Sequence, residues 1–315
     1  MSETAFDTEI EDTGEALAGP RRKPRNMLTK QEYDNHASVH DDATAQKLGF
    51  KGGAVEGPTH YSQFAPLGEA IWGRRWFEEG CLSAHYRAMV FEGEAARAFM
   101  AKPAPGAVAT RIWMLKEDGT EILAGTASVG PDAPPTALEE RLKTLGPPDP
   151  CVILRDVKVG TVLPRHAVVM QHDQNMGALY PFSLAEKLEA ITEPSPWFEP
   201  GGASPWGRAI IPMEMISVLL QYTSRTGRFP VRGPVVGLFA DQEIRLIKGP
   251  LFVGETYEVE REAVAISGSR RTESLWVRSR VYRPGSDELL ATMLLNSANM
   301  KDSYADYAKD LAALS

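Results

Sequence analysis

The side chains best suited to proton chemistry cluster in one short stretch. Asn35-His36-Ala37-Ser38-Val39-His40-Asp41-Asp42 places an amide, a hydroxyl, an imidazole and a carboxylate within a single loop-length segment. Histidine titrates near neutrality, so His40 is suited to accept a proton and return it. Asn35 orients water or a carbonyl without ionising, and Asp41 places a carboxylate beside the imidazole. Shortly after comes Glu56-Gly57-Pro58-Thr59-His60, which reads as a helix start because proline is favoured where its missing N–H would be unpaired anyway. The free N–H groups and the positive dipole end of such a start suit an oxyanion, and glycine permits close approach. A base, an acid and an oxyanion donor are what proton transfer beside a carbonyl requires. A purely structural reading stays open beside this one: Asn35 and Ser38 as caps for the run DDATAQKL, with His40 as their polar neighbour. Glu56 reads either as a solvated turn residue or as a general base for hydrolysis.

The elements that must position these residues come from an internal repeat. Val90-Phe91-Glu92-Gly93-Glu94 is echoed by Leu251-Phe252-Val253-Gly254-Glu255, and Glu121-Ile122-Leu123-Ala124 by Glu288-Leu289-Leu290-Ala291. Trp113 and Trp276 lie between these blocks in strand-like runs, and Pro58 and Pro212 each open a helix-like segment upstream, predicted over 58–73 and 212–226. Runs such as CLSAHYRAMV and EILAGTASV are rich in β-branched and aromatic residues with approximate alternation. One helix covers a sheet and leaves no apolar face wet only if the sheet curls around it. The pattern therefore predicts an α+β protein of two tandem units, residues 26–130 and 151–315, each an antiparallel sheet around one central helix and joined edge to edge. Six prolines and a short helical stretch mark residues 131–150 as the connector, expected to be mostly exposed. Residues 1–25, poor in large apolar side chains, read as a disordered leader.

His40 with Asp41, then Ala45, Gly49-Phe50, Gly52-Gly53 and Gly57, resembles the hydratase signature of the MaoC-like hydratases and dehydratases, and Ser204-Pro205-Trp206-Gly207, Ile210 and Pro212 resemble the second helix start of such proteins. The resemblance spans about residues 26–300. It implies a double hotdog fold and reversible addition of water across the double bond of an enoyl thioester. It also implies an aspartate–histidine catalytic pair; His40 matches the histidine, and Asn35, five residues earlier, stands where the pattern has aspartate. The implied catalytic set is His40, Asn35 and Asp41, with Ser38, Gly57, Thr59 and His60 contacting substrate. No metal or redox cofactor is implied, coenzyme A or phosphopantetheine being part of the substrate. Two alternatives share the fold: a thioesterase using Glu56 or Asp41, and a catalytically degenerate acyl-binding protein.

Composition narrows the remaining classes. A net charge of −8 argues against nucleic acid as a partner. No apolar run is long enough to span a bilayer, and the acidic N-terminus is unlike a secretory signal, so the expectation is a cytoplasmic protein. Cys81 and Cys151 lack metal-ligand or framework spacing, in keeping with a reducing compartment. The expected partners are a small acyl thioester and a second copy of the chain. The basic run Arg21-Arg22-Lys23-Arg25 reads as a solvated tail segment or as a contact for an anionic group. The second half has only His166 and His172, both before its helix, and so lacks a second site of the same type.

Overall fold

In the computed structural model, residues 4–33, 36–146, 150–202 and 204–314 are described. In chain order the strands are β1 (Glu11–Asp12), β2 (Ala16–Ala18), β3 (Glu32–Tyr33), β4 (His36–Ala37), β5 (Gly80–Tyr86), β6 (Ala96–Ala101), β7 (Ala109–Lys116), β8 (Glu121–Val129), β9 (Val162–Val169), β10 (Gly237–Leu246), β11 (Thr256–Gly268), β12 (Thr272–Tyr282) and β13 (Leu289–Met300). The α-helices are α1 (Asp42–Lys47), α2 (Ala65–Trp72), α3 (Arg75–Glu79), α4 (Ala137–Lys143), α5 (Leu184–Ala190), α6 (Met213–Gln221) and α7 (Tyr307–Ala312). Alternate residues of β6 are buried, the mark of a strand with one face on the core.

Apart from the small β3–β4 pair, the strands form one sheet in the order β1-β2-β6-β7-β8-β5-β10-β13-β12-β11-β9. The blocks β6-β7-β8-β5 and β10-β13-β12-β11 are the same four-stranded unit twice, meeting where β5 pairs antiparallel with β10 from Asp241↔His85 to Arg245↔Cys81. This edge-to-edge union is the one the repeat predicts. Each unit curls over its own helix, and a single core runs through both, with Tyr61, Phe64 and Leu67 from the first helical segment and Met215, Leu219 and Leu220 from α6. Met215 and Leu219 are therefore core residues, as are Trp76 and Phe77.

The helices depart from their predicted spans in an informative way. The first runs as a 3₁₀ helix over Gly57–Phe64 and continues as α2. The second stops at Gln221, short of 226, and the chain then continues in turns.

The leader is a correction. β2 pairs with β6 (Ala18↔Phe99), Ala5 and Phe6 are buried in the core, and Arg22 grips the buried carboxylate of Glu193 through Nε at 2.8 Å and Nη2 at 2.9 Å. β2 thus covers the β6 edge as β9 covers the β11 edge, so the first unit begins well before residue 26. Apolar area is only part of what orders a segment; ladder hydrogen bonds on an open sheet edge and a paired charge supply the rest. Of the basic run, Arg22 is turned inward and serves the fold.

The connector is largely exposed, as expected, but pinned at two points. Thr136 caps α4 and its hydroxyl donates to Glu243, and Leu138 packs against Trp276 and Leu294 on the outer face of the second unit.

Candidate active site

A cavity of about 740 Å³ opens beside the first helix start and is lined by His40, Glu56, Gly57, His60, Tyr86 and Tyr180, among others. His40 reaches it from a turn that its neighbours build. Ser38 Oγ accepts the His40 N–H at 3.1 Å, and Asp41 caps α1 by accepting from Thr44 N at 2.8 Å. The backbone behind the turn is pressed against Gly53, where a Cβ would stand 2.1 Å from the His40 carbonyl oxygen, so only glycine fits.

His40 Nδ1 lies 2.7 Å from the Ala54 carbonyl oxygen. A carbonyl only accepts, so Nδ1 carries the hydrogen and Nε2 keeps its lone pair. Burial pushes this imidazole down to about 4, the Ala54 hydrogen bond opposing the shift in part, so the ring is neutral around pH 7. Glu56 goes the other way. It is buried, and desolvation raises its carboxyl to about 7, against the pull of Lys187 and of a hydrogen bond from Tyr180. His60 is buried and neutral as well, driven down to about 3 by desolvation with Lys187 and Lys116 adding to it, and its Nδ1 has no partner among the described residues.

Gly57 is the first residue of the 3₁₀ helix, and no partner for its N–H occurs among the described residues. A Cβ there would meet the Tyr86 ring at 2.6 Å, so the glycine makes room for Tyr86, whose hydroxyl donates to Gln242 Oε1 at 3.0 Å. The helix start is thereby tied to the second unit.

Of the sequence-based candidates, the structure brings His40, Gly57 and His60 together on the cavity wall. Three others belong elsewhere. The Asp41 carboxylate is occupied as a helix cap, and hydrogen bonds from Thr44 hold its pKa below the usual range, because a helix start offers N–H donors at this position. Ser38 is buried in the turn, where it supports His40 without lining the cavity. Thr59 accepts a hydrogen bond from Lys187 at 3.0 Å on the core side, beside the buried Lys187–Glu214 pair at 3.5 Å. Asn35 lies outside the described residues. Tyr86 and Tyr180 were not legible as cavity residues, since one closes strand β5 and the other lies in an irregular loop of the opposite half.

Among the described residues no group of three or more metal-ligating side chains occurs, and no helix is long and apolar enough to cross a membrane.

Two four-stranded antiparallel units, each curled over one helical segment and fused edge to edge, make this a double hotdog protein. Among solved structures it is similar to a protein assigned as a MaoC domain dehydratase from Chloroflexus aurantiacus, at 14% identity and TM-score 0.53, covering 94% of this chain and 95% of that one. It is also similar to a conserved hypothetical protein from Mycobacterium tuberculosis with a double hotdog fold, at 13% identity and TM-score 0.52, covering 94% and 98%. At these identities the likeness is one of fold. No family model and no curated protein matches the sequence.

Proposed function

We propose that the protein is a hydro-lyase for acyl thioesters, adding water to an enoyl thioester or removing it from the 3-hydroxyacyl form. The observation that carries this reading is a pair of oppositely tuned groups on one cavity wall: His40, unprotonated down to about pH 4, and Glu56, protonated up to about pH 7. Between those values the base is free and the acid is loaded, the arrangement that acid–base catalysis at a single site needs. In the hydration direction His40 Nε2 takes a proton from water as the water oxygen bonds to Cβ. The π electrons move onto the thioester carbonyl as an enolate, and the Glu56 carboxyl delivers its proton to Cα. The resulting imidazolium and carboxylate return to neutrality by exchange with solvent. The Gly57 N–H, at the positive end of the helix dipole, suits the carbonyl oxygen where charge accumulates.

In this reading Glu56 supplies the carboxyl that the signature would place at position 35. The apolar wall around Phe229, Val235, Leu275 and Val277 suits the acyl chain. The likeness in fold to a protein assigned as a dehydratase supports the class of reaction. No metal or redox cofactor is needed, and coenzyme A or phosphopantetheine enters as part of the substrate.

The test is a panel of enoyl and 3-hydroxyacyl thioesters followed for loss of the conjugated double bond in the ultraviolet and, in parallel, for free thiol. Absorbance change without thiol is the expected result. Thiol release dependent on Glu56 would assign a thioesterase instead, and neither signal would leave an acyl-binding protein.

A further inference from the structure

The wall of the cavity contributed by the second unit contains a charge that the proton chemistry does not use. Arg261, on β11, lines the cavity and is only 4% exposed. Its guanidinium donates to the Leu220 carbonyl at 2.6 Å and to Thr223 Oγ1 at 3.2 Å, and Nη1 lies 3.2 Å from His166 Nε2. None of these partners is anionic. Among the described residues no carboxylate pairs with Arg261, and its Nε has no partner at all. The flanking acids Glu260 and Glu262 point to the other face of the strand, where both are engaged by Arg280. Directly opposite on β12, the hydroxyl of Ser279 is buried and has no partner among the described residues. Desolvation alone lowers the Arg261 pKa, to about 10, with no opposing charge to hold it up.

A buried cation without a counter-ion is costly, and proteins keep such a group where a ligand supplies the missing charge. A guanidinium is also the donor best matched to a planar or tetrahedral oxyanion, which it meets with two parallel N–H bonds. Arg225 and Arg228 line the same cavity. His166 is kept from competing for the charge, since desolvation and the neighbouring Arg261 both lower its pKa.

We propose that Arg261 binds an oxyanion carried by the substrate, either a phosphate of its coenzyme arm or a carboxylate of its acyl group. The ligand being a thioester rests on the hydro-lyase reading; the oxyanion site does not. The experiment is calorimetric titration of the full-length protein and its Arg261→Gln and Arg261→Lys variants with coenzyme A, pantetheine and glutarate, no turnover being required. The wild type is expected to bind coenzyme A or glutarate at least about tenfold more tightly than pantetheine, the scale of a charge-assisted contact. Arg261→Gln should abolish that preference while pantetheine binding stays unchanged. Arg261→Lys, which keeps the charge and the fold, should retain part of it, because an ammonium lacks the parallel donors. Loss confined to coenzyme A assigns the phosphate, and loss of glutarate assigns the carboxylate. Binding of all three probes at equal strength by the wild type, or a preference that survives Arg261→Gln, overturns the proposal. Arginine-dependent oxyanion binding in a protein that turns over no thioester would sink the hydro-lyase reading and leave this one standing; turnover indifferent to Arg261 would do the reverse.

Discussion

The two helix starts of this molecule are built alike and then diverge. In the first unit Ala54 bridges Phe91 and Val55 N–H donates to Val90 at 2.8 Å; in the second Ile210 bridges Phe252 and Ile211 N–H donates to Leu251 at 2.8 Å. From there the second unit goes directly to Pro212, whereas the first inserts Glu56-Gly57 before Pro58. Those two residues bring the titratable carboxyl and the unpaired N–H to the cavity, and the preceding turn brings His40. Pro212 is followed instead by Met213 and the buried Glu214 and Met215, and α6 then ends early. One repeat thus carries the reactive groups and the other the room and the cation. Chemistry here depends on a short addition at a helix start, placed on a scaffold that both halves share.

The contrast breaks most sharply at His40. Its replacement by Ala should lower thioester turnover by about two to four orders of magnitude, the range of general acid–base catalysis, with circular dichroism unchanged. A smaller kinetic loss should follow Glu56→Gln, and this variant also tests the pH behaviour of the first helix start. Because the folded-state pKa of Glu56 is raised from 4.5 to about 7, its contribution to stability is full below pH 4.5 and lost as pH rises through 7. Ionising it in the fold costs about 3 kcal/mol at pH 8, so Glu56→Gln should raise stability there by up to that amount and leave it little changed at pH 4. His40 works in the opposite sense. Its depressed pKa gives stability that is full above pH 6.5 and lost as pH falls through 4, and urea melts of Glu56→Gln across pH should keep this acidic limb.

The sheet edges provide a comparison of their own. If β2 serves the first unit as β9 serves the second, deleting residues 4–20 should lower stability by roughly 3 kcal/mol, about the value of burying Phe6 and part of a strand. Thermal melts that match the full chain would return these residues to the status of a loose tail. The smallest effect is expected at the second helix start, where Ile211→Val should cost about 1 kcal/mol and leave kcat unaltered. A change in kcat there would mean that the second start takes part in the chemistry after all.

How far these features were legible varied with the range of the interactions behind them. The repeat showed because matched turns and strands leave the same local residues in both halves, as in Val90-Phe91-Glu92-Gly93-Glu94 and its echo. His40, Gly57 and His60 were legible because they sit on one loop and the helix that follows it. β2 was not, since Ala16-Leu17-Ala18 lacks β-branched residues and lies among acids; its order comes from the β6 edge and from Glu193, far along the chain. The capping of α1 by Asp41 was not legible for a related reason, a carboxylate beside a histidine being indistinguishable by type from a carboxylate capping a helix.

By itself the sequence determined two antiparallel units, each closing over a helix opened by proline, because alternation, turn residues and helix starts are written within a few positions of one another. Only the tertiary structure decided what those units hold between them. Burial sends His40 and Glu56 in opposite directions, Tyr180 and Lys187 reach the first helix start from the other half, and Arg261 in the cavity wall has no counter-ion among the described residues. Desolvation and charge pairing depend on what surrounds a group in space, and residues far apart in the chain set that only once the chain is folded.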